Sequence, residues 1–157
     1  MRLGDTVRDV LDRKGNWVCS VTPETSVLDA LEVMAEQDIG ALIVLSQGEL
    51  CGVFTERDYA RKVILSGKSS KDTPVGEIMS APSITVNLET DVDVCMHLMT
   101  RHRIRYLPVM DGELVQGMIS IGDVVNWTIQ QQVEQIEHLN HYIAGDRKST
   151  RLNSSHT

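Results

Sequence analysis

The chain has 157 residues, 41% of them apolar and 24% charged, and its 22 Asp and Glu against 15 Lys and Arg give a net charge of −7. That length holds one ordinary domain or two small ones around a real core, and the composition excludes wholesale disorder. No apolar run approaches the roughly 20 residues of a membrane span, and the acidic balance argues against nucleic acid as the main partner, because phosphate neutralisation needs a basic face.

In chain order, the first pattern is Val7-Arg-Asp-Val-Leu11, a short lead-in. Val18–Val21 then reads as a brief extended entry. Ser26 is placed to cap a helix whose apolar positions Val27, Leu31 and Met34 recur at helical spacing. Two short buried strands follow, Ala41–Leu45 and Leu50–Phe54, joined by a turn containing Gly48. A second helix is expected from about Glu56, and the turn-rich stretch GKSSKDTP, Gly67–Pro74, reads as a linker.

Beyond the linker the pattern starts again. Sliding the chain by 65 positions matches Val21/Val86, Glu24/Glu89, Thr25/Thr90, Val27/Val92, Met34/Met99, Ile39/Ile104, Leu42/Leu107 and Val44/Val109. Eight identities fall between Val21 and Leu45, where chance gives about one or two at average residue frequencies. The register resumes at Gly52/Gly117 and Asp58/Asp123, with Thr55/Ser120 a hydroxyl-for-hydroxyl match, and the lead-in recurs as Val75–Met79. Ser83–Val86 is therefore a second entry, Asp91 a second cap, and Val92, Met96 and Met99 a second helical stripe. Strands Tyr106–Met110 and Leu114–Ile119 join through Asp111-Gly112, a hairpin signal, and a helix is expected from about Ile121.

The expected fold is α+β: two tandem β-α-β-β-α repeats related by a pseudo-two-fold, residues 7–66 and 75–130, with linker 67–74 and a long C-terminal helix through 131–145. Val125, Ile129, Val133, Ile136 and Ile143 form an apolar stripe that outlasts the repeat and suits a second subunit, so a homodimer is expected. From Asp146 the chain turns polar and aperiodic, DRKSTRLNSSHT. These twelve residues reverse-translate into a string resembling a common short-read sequencing adapter, so 146–157 is set aside as non-native. Without Arg147, Lys148, Arg151 and Asp146 the charge moves from −7 to −9.

The start, MRLGDTVRDV, carries no long apolar stretch, so a cytoplasmic rather than secreted protein is expected, with no membrane partner. Cys19, Cys51 and Cys95 form neither a C-x-x-C pair nor a zinc ligand set and read as free thiols of a reducing compartment. His138 and His141 lie one helical turn apart beside Glu134 and Glu137. A solvated helix face is the plainer reading there than a metal site, and no metal is expected.

Chemistry concentrates where strand gives way to helix, at Gly52-Val-Phe-Thr-Glu-Arg-Asp58 and Gly117-Met-Ile-Ser-Ile-Gly-Asp123. A hydroxyl followed three residues later by an acid is first of all a capping-box variant. The same helix start also suits phosphate or ribose, and an Asp carboxylate can accept hydrogen bonds from both ribose hydroxyls. Arg57 lies within one motif, and Arg101, Arg103 and Arg105 gather before the second hairpin, as for holding an anion.

The duplication, the paired G-h-h-[ST]-x-x-D endings (h, apolar) and Arg105-Tyr-Leu-Pro-Val109 resemble a tandem pair of CBS domains, the adenosine-sensing Bateman module, over about Val7–Thr128. Phe54–Lys62 followed by Gly67–Pro74 also resembles small stand-alone bacterial CBS-pair proteins. The resemblance implies a non-catalytic sensor of AMP, ADP, ATP, NAD(H) or S-adenosylmethionine, with magnesium accompanying the phosphates and a separate regulated protein as partner. Carried over by position, Asp58 and Asp123 bind ribose, and Thr55 and Ser120 contact ribose or phosphate. Ile39, Gly40, Ala41, Ile104, Arg105 and Tyr106, with Leu107 and Pro108 behind, line the adenine pockets. Thr22 and Asn87 stand at the rim, and Arg57 and Arg105 hold phosphate. Gly122 replaces Arg57 in the second copy and Ile43 stands where Pro108 does, so unequal sites are implied. A scaffold with vestigial pockets is the alternative. A nucleotide hydrolase using Asp58 and Asp123 lacks any visible nucleophile–base pair or P-loop. A redox switch at Cys51 has only Arg57 as an activating neighbour.

Overall fold

The structure, a computed structural model, describes residues 5–15, 18–82 and 84–146, with side chains through residue 140. All of the segment set aside as non-native except Asp146 lies outside the described residues. The two repeats form one body ending at Ile121, and Gly122 opens a second.

Helix α1 spans Val7–Lys14, started by Thr6, whose backbone N–H donates to Asp9 Oδ2 at 2.9 Å. Strand β1, Ser20–Val21, leads to helix α2, Val27–Gln37, where Ser26 Oγ accepts from Asp29 N at 3.0 Å. Val27, Ala30 and Met34 are buried along one face, and the helix stops at Asp38 in left-handed backbone, φ 56. Strands β2, Ala41–Ser46, and β3, Glu49–Thr55, form a hairpin whose two turn residues, Gln47 and Gly48, both take positive φ. Helix α3, Glu56–Tyr59, runs directly into a π-helical turn, Ala60–Ile64.

The second copy repeats this as α4 (Val75–Ile78), β4 (Val86–Asn87), α5 (Val92–His102), β5 (Tyr106–Asp111), β6 (Leu114–Ser120) and α6 (Ile121–Asp146). Each repeat makes a three-stranded sheet, β1-β2-β3 or β4-β5-β6, with the first pair parallel and the second antiparallel. The duplication extends to a defect. Val44 pairs with Gly52 and Leu45 with Leu50, leaving Cys51 as a bulge, and Gln116 is skipped likewise in the second hairpin.

Several local expectations need adjustment. The second entry strand is Val86–Asn87 and lies later than expected. Ile43 donates its N–H to Cys19 O at 3.3 Å, but its counterpart Pro108 has no N–H, so the chain before Val86 has no equivalent bond to β5. Asp91 stands at the start of α5 in extended backbone without a side-chain capping bond. The second turn is Gly112-Glu113, with Asp111 still in β5 and only Gly112 at positive φ.

The lead-ins are helices, and they change places. Val75 N donates to Thr25 O and Gly76 N to Pro23 O, each at 2.8 Å, so α4 docks on the first repeat. Val7 N donates to Thr90 O and Arg8 N to Leu88 O, each at 2.9 Å, so α1 docks on the second. Val75 and Ile78 accordingly complete the core of Val27, Ala30, Met34, Leu42, Val44, Phe54 and Val63. Burying each such side chain is worth about 1.5–3 kcal/mol, and the exchange places part of each core on the other repeat's lead-in.

Beyond Ile121, α6 carries Val125, Ile129, Val133, Ile136 and Leu139 in exposed positions. They extend the expected stripe by Leu139, while the side chain of Ile143 lies outside those described. No helix among the described residues is long and apolar enough to cross a membrane.

Candidate functional site

Asp58 is the chemical centre of the first repeat. It occupies the third position of α3, and Thr55, ending β3, closes a capping box with it: Thr55 N and Oγ1 donate to Oδ2 at 3.0 and 3.1 Å, and Asp58 N donates back to Oγ1 at 3.1 Å. The other carboxylate oxygen faces the second lead-in. Ser80 Oγ donates to Oδ1 at 2.8 Å, and Lys62 Nζ lies 3.3 Å from the same oxygen. Lys62 also donates to Ile78 O at 3.2 Å and to Ser80 Oγ at 3.3 Å. Asp58 is only 6% exposed, and buried carboxylates persist when such partners surround them.

Lys62 lies in the π-helical turn, where Leu65 N donates to Ala60 O at 3.1 Å and Lys68 N to Val63 O at 2.9 Å. Such turns accompany functional sites more often than ordinary helix does. Ser80 is held by a two-way bridge to β3, Val53 N to Ser80 O and Ser80 N to Val53 O, both 2.9 Å. The lead-in exchange thus delivers a second-copy hydroxyl to a first-copy acid.

Around this acid opens a cleft of about 700 Å3. The first repeat contributes Gly40, Thr55, Glu56, Arg57, Asp58, Arg61 and Lys62 to its wall, and Ser80–Pro82 and Ile84 form one edge. The stretch His102–Tyr106 with Pro108 supplies the far side. Five cationic side chains face two carboxylates in a chain whose overall balance is acidic. Arg103 enters from left-handed backbone at φ 56, where glycine or asparagine is the usual occupant. Gly40 leaves room on the opposite wall: a Cβ there would stand 2.5 Å from the Tyr106 hydroxyl and 2.9 Å from Glu56 Oε1, so those side-chain ends would have to shift.

Of the residues singled out from sequence, Gly40, Thr55, Arg57, Asp58, Ile104, Arg105, Tyr106 and Pro108 meet in this cleft. Ile39 lines an adjoining hollow of about 320 Å3 with Gly40, Glu56 and Tyr106. Ala41 and Leu107 point into the core, 3% and 0% exposed. Thr22 and Asn87 start tight turns in which their backbone N–H groups donate to Thr25 and Thr90 Oγ1, each at 3.1 Å, and neither lines the cleft. Ser120 ends β6 opposite Tyr106, and Asp123 falls in the first turn of α6; neither lines the cleft.

Sequence reasoning passed over Lys62, Arg61, Ser80, Ala81 and Pro82. Lys62 was detectable, being four residues after Asp58 on a helix. Nothing local marks Ser80, whose role depends on the exchanged lead-ins.

The thiols stand apart from this chemistry. Burial pushes Cys95 up to about 11, and burial followed by the charge of Glu24 raises Cys51, whose Sγ donates to Val44 O at 3.4 Å. A raised thiol is the opposite of what a redox switch needs. Among the described residues no three His, Cys, Asp or Glu side chains come together as a metal site.

Comparison with known proteins agrees with this architecture. The CBS domain family profile matches residues 7–64 and 75–129. The chain is 44% identical over 150 residues to the mitochondrial CBS domain-containing protein CBSX3 of Arabidopsis thaliana, covering 89% of this chain and 72% of that one. It is 32% identical to YhcV of Bacillus subtilis, over 73% of this chain and 81% of the relative. The solved structure of a signal-transduction protein with CBS domains from Burkholderia ambifaria superposes with a TM-score of 0.77 at 47% identity, covering 81% of this chain and 96% of that one. A hexameric CBS-CP12 protein from bloom-forming cyanobacteria gives 0.70 at 27% identity, over 89% and 87%. Tandem repeats, exchanged lead-in helices and matching profile together place the chain in the CBS-domain family, whose paired repeats are regulatory modules that generally take adenine nucleotides.

Proposed function

We propose that this chain is a non-catalytic sensor that binds an adenine nucleotide in the cleft around Asp58. The observation that carries the reading is the gathering of Arg57, Arg61, Lys62, Arg103 and Arg105 about one cleft in a chain of net charge −7. Arg57 and Arg105 hold the phosphates, Thr55 and Asp58 take the ribose, and Gly40, Ile104 and Tyr106 flank the adenine. Ribose hydroxyls would replace Ser80 and Lys62 at Asp58 Oδ1, which makes occupancy felt at the joint between the repeats. A regulatory effect requires that the ligand favour one arrangement over another, since equal affinity shifts nothing.

The test is calorimetric titration with AMP, ADP, ATP, NAD(H) and S-adenosylmethionine, with and without magnesium. Binding abolished by Asp58→Ala supports the reading; no heat and no thermal shift with any ligand defeats it.

The exposed face of α6 supports a homodimer, in which a second copy covers Ile129, Val133 and Ile136. Sedimentation over a range of concentrations should show a dimer that Ile129→Glu weakens. A monomer throughout counts against it and leaves that face to another protein, as a scaffold would use it. Free thiols and a fold without disulfides suit the cytoplasm.

A further inference from the structure

We infer that the cleft selects adenine nucleotides with two or more phosphates and rejects S-adenosylmethionine, because four guanidinium groups converge on it from both repeats without a carboxylate partner. The inference rests on the adenine-nucleotide reading and names the ligand class within it.

Among the cations of the cleft, only Lys62 is in an ion pair, with Asp58. Arg57, Arg61, Arg103 and Arg105 all line the cavity, and no described carboxylate pairs with any of them. Glu56 and Asp58 are the only acids on the wall, and Asp58 is already engaged by Thr55, Ser80 and Lys62. Left empty, such a cluster repels itself, and each added phosphate relieves more of that repulsion. A single phosphate leaves most of it in place, whereas a di- or triphosphate brings more negative charge to offset it. A ligand whose only unusual charge is a sulfonium adds to the excess.

The internal duplication sharpens the point. At the 65-residue offset Arg57 corresponds to Gly122, Arg61 to Asn126, Lys62 to Trp127, Arg103 to Asp38 and Arg105 to Gly40. Every cation of this cleft is matched in the other copy by an uncharged or acidic residue. Two copies of an ancestral repeat have thus kept the fold and concentrated the phosphate-binding charge at one place, which sets one polyphosphate ligand per chain. The backbone of Arg103 adds to this: its equivalent, Asp38, takes the same left-handed φ of 56, so the strain belongs to the fold and the guanidinium to this cleft.

The experiment is equilibrium titration of the full chain with adenosine, AMP, ADP, ATP, S-adenosylmethionine and inorganic tripolyphosphate, at low and high salt. Expected are ATP and ADP binding about tenfold or more tighter than AMP, one site per chain, no measurable S-adenosylmethionine, and an ATP preference that shrinks with salt. Arg57→Ala and Arg105→Ala, both at exposed positions and therefore expected to fold, should reduce the ATP preference over AMP; an undiminished preference in both variants overturns the inference. AMP equal to ATP, or S-adenosylmethionine within a few-fold of it, overturns the inference and leaves the adenine-nucleotide reading intact. Tripolyphosphate as tight as ATP overturns it differently, by removing the adenosine requirement. If nothing binds, both fall.

Discussion

Ser80 donates its hydroxyl to Asp58 Oδ1 at 2.8 Å, and the two residues belong to different copies of the repeat. One hydrogen bond to a buried carboxylate therefore ties the second lead-in to the first repeat's helix start. Removing it by Ser80→Ala should cost about 1.5–2 kcal/mol in urea unfolding, at the lower end of the range for hydrogen bonds to charged groups. Asp58→Ala should cost more, about 2–4 kcal/mol, because it strips the cap of α3 and leaves Ser80 and Lys62 without their shared acceptor. Equal losses in the two variants would mean that the cap contributes nothing.

Arg103 makes a testable trade-off. Its φ of 56 is unfavourable for a side chain and free for glycine. Arg103→Gly should raise stability by a few tenths to about 1 kcal/mol, read as a higher melting temperature, while weakening nucleotide binding. A variant that melts earlier contradicts the backbone strain at this position, and one that binds as tightly as before contradicts the placement of this guanidinium at the ligand.

Gly52 and Gly117 are equivalent positions with unequal surroundings. A Cβ on Gly52 would stand 2.5 Å from Met79 Sδ, 2.9 Å from Met79 Cγ and 3.1 Å from the backbone oxygen of Ser80, whereas one on Gly117 meets only Leu11 Cδ atoms at 3.5 and 3.6 Å. Gly52→Ala should destabilise by about 1–3 kcal/mol and shift Ser80 off Asp58, with nucleotide affinity falling in parallel. Gly117→Ala should be within about 1 kcal/mol of the parent, since glycine in a strand is itself unfavourable. Chemical denaturation of the pair decides it.

Cys95 sets an alkaline limit. Its thiol, 0% exposed, is pushed by burial from the usual 9.0 to about 11, with Asp91 adding to the effect. Above pH 9 the unfolded chain releases this proton and the folded one keeps it, so the folded state binds more protons and stability falls as pH rises from 9 to 11. Below pH 9 the group contributes no slope. The loss by pH 11 should be roughly 1–3 kcal/mol and absent from Cys95→Ala, which carries a smaller, pH-independent packing loss. Unfolding at several alkaline pH values, with thiolate absorbance as a second readout, checks the sign.

Much was legible in the chain alone. Offset identities, apolar spacing and the turns at Gly48 and Gly112 determined two α+β repeats of known order. The paired T-x-x-D and S-x-x-D endings located Asp58, and the Arg cluster located one wall of its cleft. Those features are encoded locally, by periodicities of two and 3.6 residues and by residues within four positions of one another. Tertiary structure alone decided what meets across the repeats. Val75 and Ile78 complete the first core, Ser80 reaches Asp58, and Arg57 and Arg105 come to share one cleft although 48 positions separate them. The physical reason is the exchange of lead-in helices. Each repeat's core is completed by the other's lead-in, and no local pattern records which copy a short helix will cover.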